Sequence, residues 1–565
     1  MYRSGENCCA VAGVIARLLT GALVSVLAMP ALAQESAGSR GGDASGQVMS
    51  PAGGDTASAN KKASADPALL DIWEYDIDGN SVLDEKTIDE AVEAYLGPQK
   101  SPDEIDKARA ALESVYRERG FKTVSVDIPR QTVRDGVVRL EVVQGRIGHL
   151  NVVGSKYHSL DEIKDDAPSL AEGSVPNFKD VQGDIVALNQ QADRKVTPVL
   201  KAGATPGTVD VDLVVDDHLP LHGTLEVNNR RSQDTSELRT SASLSYDNLW
   251  QLGHSLSLSY QTAPENQADA RVFYASYLAR FDTSPFSLLL SGIKSDSNVA
   301  TVGSTDVLGK GQTVEMRGIL SLPSTPTFYH SLSFGVAYKH FNNRISLGTD
   351  KFETPVTYYP LSLGYTSVVR AEDSVTQADF TLSFASSALG STASSLDTNR
   401  FKANGQQFFF KENLTHTRSF GGGAQAMLRF SGQLTDQPLL TSEEFSAGGY
   451  DSVRGYLEAE VLGDYGASGT LELRTPSVAD DISFGTSKPF DELRGFAFFD
   501  GAKLLLRSPQ IDQRRSFAVA SFGAGFNFNM FTYLYGALDW ADPFYNGPAT
   551  RAWSSRVLFR VWTTF

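Results

Sequence analysis

The stretch from Glu443 to Pro476 holds a permanent cation in an unusual setting. It contains V-R-G-Y at Val453–Tyr456, which places the Arg454 guanidinium between a β-branched residue and an aromatic one. A guanidinium keeps its charge at any accessible pH and donates in a fixed fork, so a buried one needs a carboxylate or several other acceptors. Six glycines in this stretch interrupt any helix or strand period. We predict a long ordered loop whose tip, Val453, Arg454, Gly455 and Tyr456, docks inside a surrounding structure.

Other kinds of chemistry find little support in the sequence. There is no G-x-S-x-G or H-E-x-x-H motif and no glycine-rich nucleotide motif. His218 and His222 are four residues apart, but Pro220 between them argues against a metal pair on a helix. We expect no enzyme activity, no cofactor and no metal.

The spacing of several acidic residues suggests a calcium-binding loop as an alternative. Glu74, Asp76, Asp78, Gly79 and Glu85 fall at positions one, three, five, six and twelve of an EF-hand template. The match departs from the template at position one, which is Glu, and at position eight, which is a serine. The preceding residues also alternate as a strand does.

The acidic balance of the chain argues against nucleic acid as a partner. The formal net charge is -17. Removing residues 1–33 removes Arg3, Arg17 and Glu6, so the charge becomes -17 - 2 + 1 = -18. Binding to nucleic acid requires a basic surface.

The first residues have the features of an export signal. Arg17 precedes an apolar run from Leu18 to Met29 and then Ala31-Leu32-Ala33, which is typical of a secretory signal peptide over residues 1–33. A single N-terminal membrane anchor is the alternative. The chain's two cysteines, Cys8 and Cys9, lie in this leader, so the exported part has no thiol. Residues 34–66 are rich in Ala, Ser and Gly and are predicted to form a disordered linker.

Two successive α+β domains are predicted over residues 67–145 and 146–218. The first has the order strand, two helices, two strands, with a capping box at Ser101 and a helix end at Gly120. The second repeats this order, with helices expected at residues 159–170 and 177–194.

Residues 219–565 have a different texture. About sixteen runs alternate small or polar residues with apolar ones and are separated by Gly, Asn, Asp and Pro. Strands of about 9 to 11 residues that face lipid on one side produce this alternation. We predict a closed 16-stranded antiparallel transmembrane β-barrel; a soluble sandwich or propeller is the alternative, but no blade repeat is visible. The chain ends on Phe565, as expected for an interfacial aromatic.

The glycine-rich stretch resembles the inward-folded loop of two-partner secretion transporters, the TpsB or haemolysin secretion/activation (ShlB/FhaC) proteins. The likeness extends over some thirty residues and rests on E-x-F at Glu443, G-G at Gly448, V-R-G-Y at Val453, Glu458, G-D-x-G at Gly463 and E-L-x-x-P at Glu472. The element order of the two α+β domains is that of POTRA domains. Phe565 resembles the C-terminal sorting signal of bacterial outer-membrane barrels.

The resemblance implies that residues 435–467 fold into the barrel and that Arg454 binds an aspartate in a strand motif F-x-D-x-G. The matching residues are Phe498 and Asp500, although Gly501 comes early and Ala502 stands at the final glycine position. Arg454 and Asp500 would then hold the loop in one position from which it can be released.

The resemblance also implies the location and the partners. The barrel would lie in the bacterial outer membrane as a monomer, inserted into lipid by the barrel-assembly machinery, with both POTRA domains in the periplasm. Its substrate would be a large TpsA-type exoprotein that arrives unfolded. Two alternatives remain: a barrel-assembly or autotransporter-assembly insertase of the same superfamily, which more often has additional POTRA domains, and a plain diffusion porin.

Overall fold

The computed structural model describes residues 69–565 except 190, 192, 282–283, 298, 303–304, 348–349, 483–487 and 512. The predicted signal peptide and linker lie outside the described residues. All described residues belong to one compact unit. Within them, no helix combines the length and the apolarity needed to cross a membrane.

The first α+β domain packs two helices on a three-stranded sheet, whose central strand is parallel to one neighbour and antiparallel to the other. Its core includes Leu112, Tyr116, Val138 and Leu140. The elements are β1 (Leu70–Ile72), β2 (Glu74–Asp78), α1 (Glu85–Val92), a 3-10 turn (Glu93–Tyr95), β3 (Gly97–Lys100), α2 (Pro102–Arg119), β4 (Val124–Asp127) and β5 (Val137–Gln144).

Local signals account for the helix ends in this domain. The Asp84 carboxylate accepts a hydrogen bond from the Thr87 N–H at the start of α1. Ser101 and Glu104 form the expected capping box at the start of α2. Gly120 ends α2 with a φ of 106°.

The second domain repeats the topology, with sheet order β6-β8-β7. The elements are β6 (Arg146–Val153), α3 (Leu160–Asp165), a 3-10 turn (Pro168–Leu170), α4 (Phe178–Leu188), β7 (Arg194–Ala202) and β8 (Thr208–Asp217). The helix expected at 159–170 is divided because Pro168 disfavours helical geometry in the residue before it. The helix expected to reach residue 194 ends at Leu188, since the Asn189 side chain instead bonds the Val196 N–H and C=O (2.6 and 3.0 Å).

The residues of the candidate calcium loop belong to a strand. Glu74, Asp76 and Asp78 lie on the exposed face of β2, and Tyr75 between them is buried. Asp78 pairs with Arg139 on the neighbouring strand. A calcium loop must curve around one point so that its ligands converge. The structure therefore gives no support to the EF-hand alternative.

The C-terminal part is a closed antiparallel barrel. Its strands, with four short ones outside the ring (β14, β15, β23 and β24), are β9 (Leu221–Asn228), β10 (Arg239–Leu249), β11 (His254–Thr262), β12 (Arg271–Arg280), β13 (Phe286–Ser295), β14 (Val299–Val302), β15 (Thr305–Leu308), β16 (Gly311–Ser321), β17 (Phe328–Leu347), β18 (Asp350–Tyr358), β19 (Leu361–Arg370), β20 (Ser374–Ala385), β21 (Gln407–Ser419), β22 (Gln425–Thr435), β23 (Phe445–Ala447), β24 (Val461–Gly463), β25 (Tyr465–Arg474), β26 (Phe490–Leu505), β27 (Ser516–Met530), β28 (Leu534–Pro543) and β29 (Arg556–Thr564). A helix, α5 (Ala393–Asn399), and two 3-10 turns (Thr441–Glu443 and Ala479–Asp481) lie in the connections.

β18 and β19 together act as one strand of the barrel, because both pair with β17. β17 pairs with β18 up to Lys339–Tyr358 and continues with β19 from Val336–Leu361. The break falls at Pro360, which has no N–H to donate to the ladder. Counted in this way, sixteen antiparallel strands close the ring among the described residues, and the predicted strand number is confirmed.

Side chains alternate along the barrel strands. On β25, Leu471 and Leu473 are exposed on the outer surface, whereas Thr470 and Glu472 are buried on the inner one. This is the expected pattern for strands between lipid and a lumen.

The second α+β domain contacts one end of the barrel, called the near end. There the Gln251 side chain accepts a hydrogen bond from the Ser159 N–H (2.9 Å), and the Tyr157 C=O accepts one from Asn248 Nδ2 (3.3 Å). The opposite end is called the far end.

Candidate functional site

The inward loop, residues 435–467, joins β22 to β25 and enters the barrel from the far end. Its two limbs pair through β23 and β24. Gly448 and Gly455 have φ values of 108° and 93°. A Cβ at Gly448 would come within 2.5 Å of the Leu457 C=O, so only glycine fits there. The tip, Val453–Tyr456, lies around the second of these turns and against the inner wall.

Arg454 lies at this tip among three carboxylates, with 7% of its side chain exposed. Asp500 accepts three hydrogen bonds from it: the backbone N–H (3.1 Å), Nε (2.8 Å) and Nη2 (3.1 Å). Nη1 donates to Glu472 Oε2 (2.8 Å) and to Asp539 Oδ2 (3.4 Å). Charge-assisted, forked contacts of this kind fix position and direction together.

Strand register explains why these acids meet. Across β25 and β26, Thr470 is opposite Asp500 and Glu472 is opposite Phe498, so both acids lie on the inner face. Asp539 reaches the same point from β28. All three are buried and contact Arg454, and Glu472 Oε1 also accepts a hydrogen bond from Arg474 Nε (2.8 Å). Because desolvation offsets much of the Coulomb attraction, such a group specifies one loop position more than it adds stability.

Two aromatic rings complete the pocket. The Arg454 Cζ lies 3.4 Å from the centroid of the Phe498 ring and 5.9 Å from that of Phe496. Glycines on β27 make room for both rings. A Cβ at Gly523 would come within 2.4 Å of the Phe498 ring, and one at Gly525 within 2.6 Å of the Phe496 ring.

The other residues of the tip are also buried. Val453 is fully buried in an apolar cluster, against which Ala502 packs. The Tyr456 hydroxyl lies 2.8 Å from the Tyr545 C=O and 3.2 Å from the Ala520 C=O. The cluster consists of Ala447, Val453, Tyr456, Val461, Leu504 and Val519.

Arg230, which follows β9, makes further contacts to the inward loop on both sides of the tip. Arg230 Nε donates to Glu458 Oε1 (2.9 Å), and its Nη2 donates to Asp451 Oδ2 (2.5 Å). Glu460 accepts hydrogen bonds from the Thr550 N–H (2.8 Å) and hydroxyl (2.5 Å). Arg230 and Glu458 are 228 positions apart, so no local sequence pattern could have revealed their pairing.

The structure brings Arg454, Asp500 and Phe498 together and adds two acids that sequence reasoning missed. In the sequence, Glu472 stands out only as part of the E-L-x-x-P motif, and Asp539 belongs to no motif. Each stands between exposed apolar residues of an alternating strand. That inward-facing acidic position is the signal that could have found them.

The inner wall away from the tip carries small hydroxyl side chains. Register pairs Ser245 with Ser257, Ser257 with Ser276 and Ser276 with Ser291 across β10–β13. Leu258, the neighbour of Ser257, is 49% exposed on the outer surface, so the serines face the lumen. Among the described residues, none of these four serines, here called the serine row, hydrogen-bonds to the inward loop.

Phe565 lies where the barrel closes. Its N–H donates to the Gly223 C=O (3.1 Å) and its C=O accepts from the Gly223 N–H (3.0 Å). The ring is 68% exposed and covers Gly223, where a Cβ would come within 2.0 Å of it. Its service as a sorting signal remains a prediction.

Asp217 organises the junction between the second α+β domain and the barrel. It accepts hydrogen bonds from the N–H groups of Lys156 (3.0 Å), Tyr157 (2.8 Å) and His158 (3.2 Å), and it lies 3.1 Å from His158 Nδ1. Burial alone would raise the pKa of Asp217, but the hydrogen bonds from Tyr157, His158 and Lys156 outweigh it and lower the pKa to about 2. The segment it holds is the one that contacts the near end of the barrel.

One group of side chains among the described residues has metal-ligand geometry, namely Asp193, His222 and Asp247. His222 Nε2 lies 2.9 Å from Asp193 Oδ2 and 3.7 Å from Asp247 Oδ2. A hydrogen bond between His222 and Asp193 already accounts for the shorter approach. His218, the other half of the spacing seen in the sequence, is not part of this group.

Comparisons with known proteins agree with this architecture. Residues 207–528 match the model of the haemolysin secretion/activation protein family ShlB/FhaC/HecB, and residues 70–145 match the ShlB-type POTRA domain. The outer membrane transporter CdiB of Dickeya dadantii is 25% identical over 156 residues, which are 28% of this chain and 27% of that protein. The chain spans about a quarter of the length of the first two curated relatives it matches.

Two solved structures share the fold. CdiB from Escherichia coli has a TM-score of 0.64 at 18% identity, covering 90% of this chain and 93% of that one. BamA from Haemophilus ducreyi lacking POTRA domains 1–3 has a TM-score of 0.51 at 15% identity, covering 88% and 100%. Since the first family model matches more than half of the chain, this protein belongs to the ShlB/FhaC/HecB haemolysin secretion/activation family, outer-membrane β-barrel transporters with periplasmic POTRA domains.

Proposed function

We propose that this protein binds an unfolded exoprotein in the periplasm through its POTRA domains and secretes it through the barrel. The observation that carries the proposal is the Arg454 site. The far end of the barrel is the extracellular end, because the periplasmic POTRA domains contact the near end. A loop from this extracellular end is held deep in the lumen by a buried arginine with three acids from three strands. Contacts made of hydrogen bonds and charge fix one position yet can be exchanged for water or for a passing chain, so they suit a releasable plug.

The serine row supports a route for an extended polypeptide. Small hydroxyl side chains offer neither an apolar surface nor fixed charges to retain a passing chain. Among the described residues, none of them hydrogen-bonds to the inward loop. A chain could therefore pass once the loop shifts, without a site on the serine row binding it tightly.

The POTRA domains supply the entry in this proposal. β7 is an edge strand of the second sheet, and its Val199 and Leu200 are 40% and 43% exposed. An extended segment can add to such an edge through main-chain hydrogen bonds. No nucleotide motif is present in the sequence, so folding of the exoprotein outside the cell would supply the direction.

The test is to delete the gene and identify by mass spectrometry which polypeptides disappear from the medium. We expect one large β-rich polypeptide to be lost, and the wild-type gene to restore it. Loss of no polypeptide would contradict the proposal. Depletion of many outer-membrane proteins would instead indicate the barrel-assembly alternative.

The role of Arg454 is tested by expressing variants in the deletion strain. Arg454→Ala should produce an inserted barrel, recognised by its heat-dependent mobility in gels, that secretes poorly. The matched control is Arg418→Ala, which removes an exposed pair with Asp373 (3.1 Å) at the near end and should secrete normally. Secretion by Arg454→Ala at the wild-type level would remove the arginine from the mechanism.

A further inference from the structure

A second buried arginine lies at the extracellular end of the barrel. Arg400 follows α5 in the connection between β20 and β21, and 8% of its side chain is exposed. Its Nη2 donates to Asp464 Oδ2 (2.8 Å) and to the Arg507 C=O (3.1 Å). Its Nε lies 3.6 Å from Glu444 Oε1.

Asp464 joins the two limbs of the inward loop. It is fully buried and belongs to the G-D-x-G motif, for which the tip contacts provide no role. Its Oδ1 accepts from the Leu439 N–H (2.6 Å) on the incoming limb, and its Oδ2 accepts from the Arg507 N–H (2.5 Å) on the connection between β26 and β27. One carboxylate therefore connects the base of the inward loop with two extracellular connections.

An apolar cluster joins the same segments. Leu396 of α5 and Leu440 at the base of the inward loop both belong to it. The segment that carries Arg400 is therefore seated on the loop by packing as well as by charge. The buried residues of the cluster are Phe341, Val356, Tyr358, Ala385, Leu396, Ala403 and Leu440.

The two arginine sites share no partner. Arg454 binds Asp500, Glu472 and Asp539 in the lumen, whereas Arg400 binds Asp464 and the Arg507 C=O at the mouth. Arg400 is also the less fully satisfied of the two, because its buried Nε has no hydrogen-bond partner. A buried charge with fewer hydrogen bonds is the easier one to expose to water.

We propose that Arg400 and Asp464 are positioning residues that close the extracellular mouth by holding the 386–406 connection on the base of the inward loop. This inference rests on the proposed function in that the passenger leaves through this mouth. Separation of Arg400 from Asp464 opens the exit, and separation of Arg454 from its acids is a distinct step deeper in the lumen.

The experiment measures ion conductance of the purified full-length protein in planar lipid bilayers, with no exoprotein present. Arg400→Ala should raise the time-averaged conductance several-fold over the wild type, and Arg400→Lys should give an intermediate value because it keeps the charge but not the fork. Arg418→Ala, an exposed arginine on the adjoining strand β21, should match the wild type.

The outcomes separate this inference from the proposed function. An inserted Arg400→Ala barrel with wild-type conductance overturns the inference, whatever the exoprotein test shows. If Arg400→Ala fails to insert, Arg400→Lys decides: wild-type conductance from that variant overturns the inference, and raised conductance supports it. The conductance measurement uses only ions. Raised conductance of Arg400→Ala, together with no polypeptide lost from the medium of the deletion strain, would support closure of the mouth and contradict secretion.

Discussion

The two sides of the lumen share the same alternation of inward and outward side chains, but their inward side chains differ in chemistry. The inner faces of β25, β26 and β28, here called the loop wall, present Glu472, Asp500 and Asp539 to one arginine. The inner faces of β10–β13 present the serine row. Among the described residues, no serine of this row hydrogen-bonds to the inward loop. The outer faces of both walls are apolar alike.

This difference shows where the specificity of the barrel lies. The outer surface of each strand is set by lipid, so it differs little from one wall to the other. The inner surface is free to vary, and here it divides into a wall that binds the loop through charged groups and a wall of small hydroxyl side chains, which is the proposed route of the polypeptide. Substitutions that disturb the loop wall are therefore expected to cost more stability than substitutions in the serine row.

Arg454→Ala should give the largest loss. It removes the cation from buried Asp500 and Asp539 and leaves Glu472 with Arg474 alone. Removing one partner of a buried ion pair costs about 3–5 kcal/mol. The measurement is the midpoint of unfolding of the detergent-solubilised barrel in urea.

The control for Arg454→Ala neutralises the acids as well. Arg454→Met combined with Asp500→Asn, Glu472→Gln and Asp539→Asn should recover part of the loss, since no buried charge then lacks a partner. Equal midpoints for Arg454→Ala and wild type would show that the loop wall does not bind the arginine as described.

Gly523→Ala should cost about 1–3 kcal/mol, the usual penalty for overpacking. Its Cβ would come within 2.0 Å of the Trp540 C=O and 2.4 Å of the Phe498 ring. Gly292→Ala on the outer face of β13 is the control for a glycine-to-alanine change within a strand, because its Cβ would meet nothing closer than 3.9 Å. Equal effects of the two substitutions would contradict the packing role given to Gly523.

Asp217 offers a charge site outside the lumen that responds to pH. Its folded pKa of about 2 lies below the ordinary 3.8, so it contributes about 2 kcal/mol that is present above pH 3.8 and lost as the pH falls toward 2. The unfolding midpoint of the wild type should therefore exceed that of Asp217→Asn at about pH 6, with the gap closing in acid. A gap that stays constant across this range would contradict the role given to the Asp217 carboxylate.

Substitutions in the serine row should change stability least. Ser257→Tyr with Ser276→Tyr adds bulk to an open wall, so unfolding should shift within about 0.5 kcal/mol. Secretion should nevertheless fall, because the rings narrow the proposed route. Ser257→Ala with Ser276→Ala is the control and should secrete normally; full secretion by the tyrosine variant would place the route elsewhere.

Much of this fold could be read from the sequence because its signals are local. Alternation over about ten residues predicts each barrel strand, and Ser101 with Glu104 predicts the start of α2. Errors arose where tertiary contacts override local preference, as at Asn189, whose side chain ends α4 by bonding to β7.

The candidate site was partly predictable for the same reason. V-R-G-Y and the acid of the F-x-D motif are contiguous patterns, so Arg454 and Asp500 could be named from them. Glu472 and Asp539 depend on which strands stand side by side in the closed barrel, and the choice among inward acids is made only by that register. Contacts between distant segments, such as Arg400 with Asp464, carry no local signal.

The central claim is that the inward loop must leave the loop wall for secretion, and a reversible cross-link tests it most directly. Val453 belongs to the apolar cluster against which Ala502 packs, and the sequence has no cysteine after Cys9. Val453→Cys with Ala502→Cys should form a disulfide under oxidising conditions, stop secretion, and secrete again after reduction, while each single cysteine variant secretes throughout. Undiminished secretion with the disulfide shown to be formed would contradict the claim.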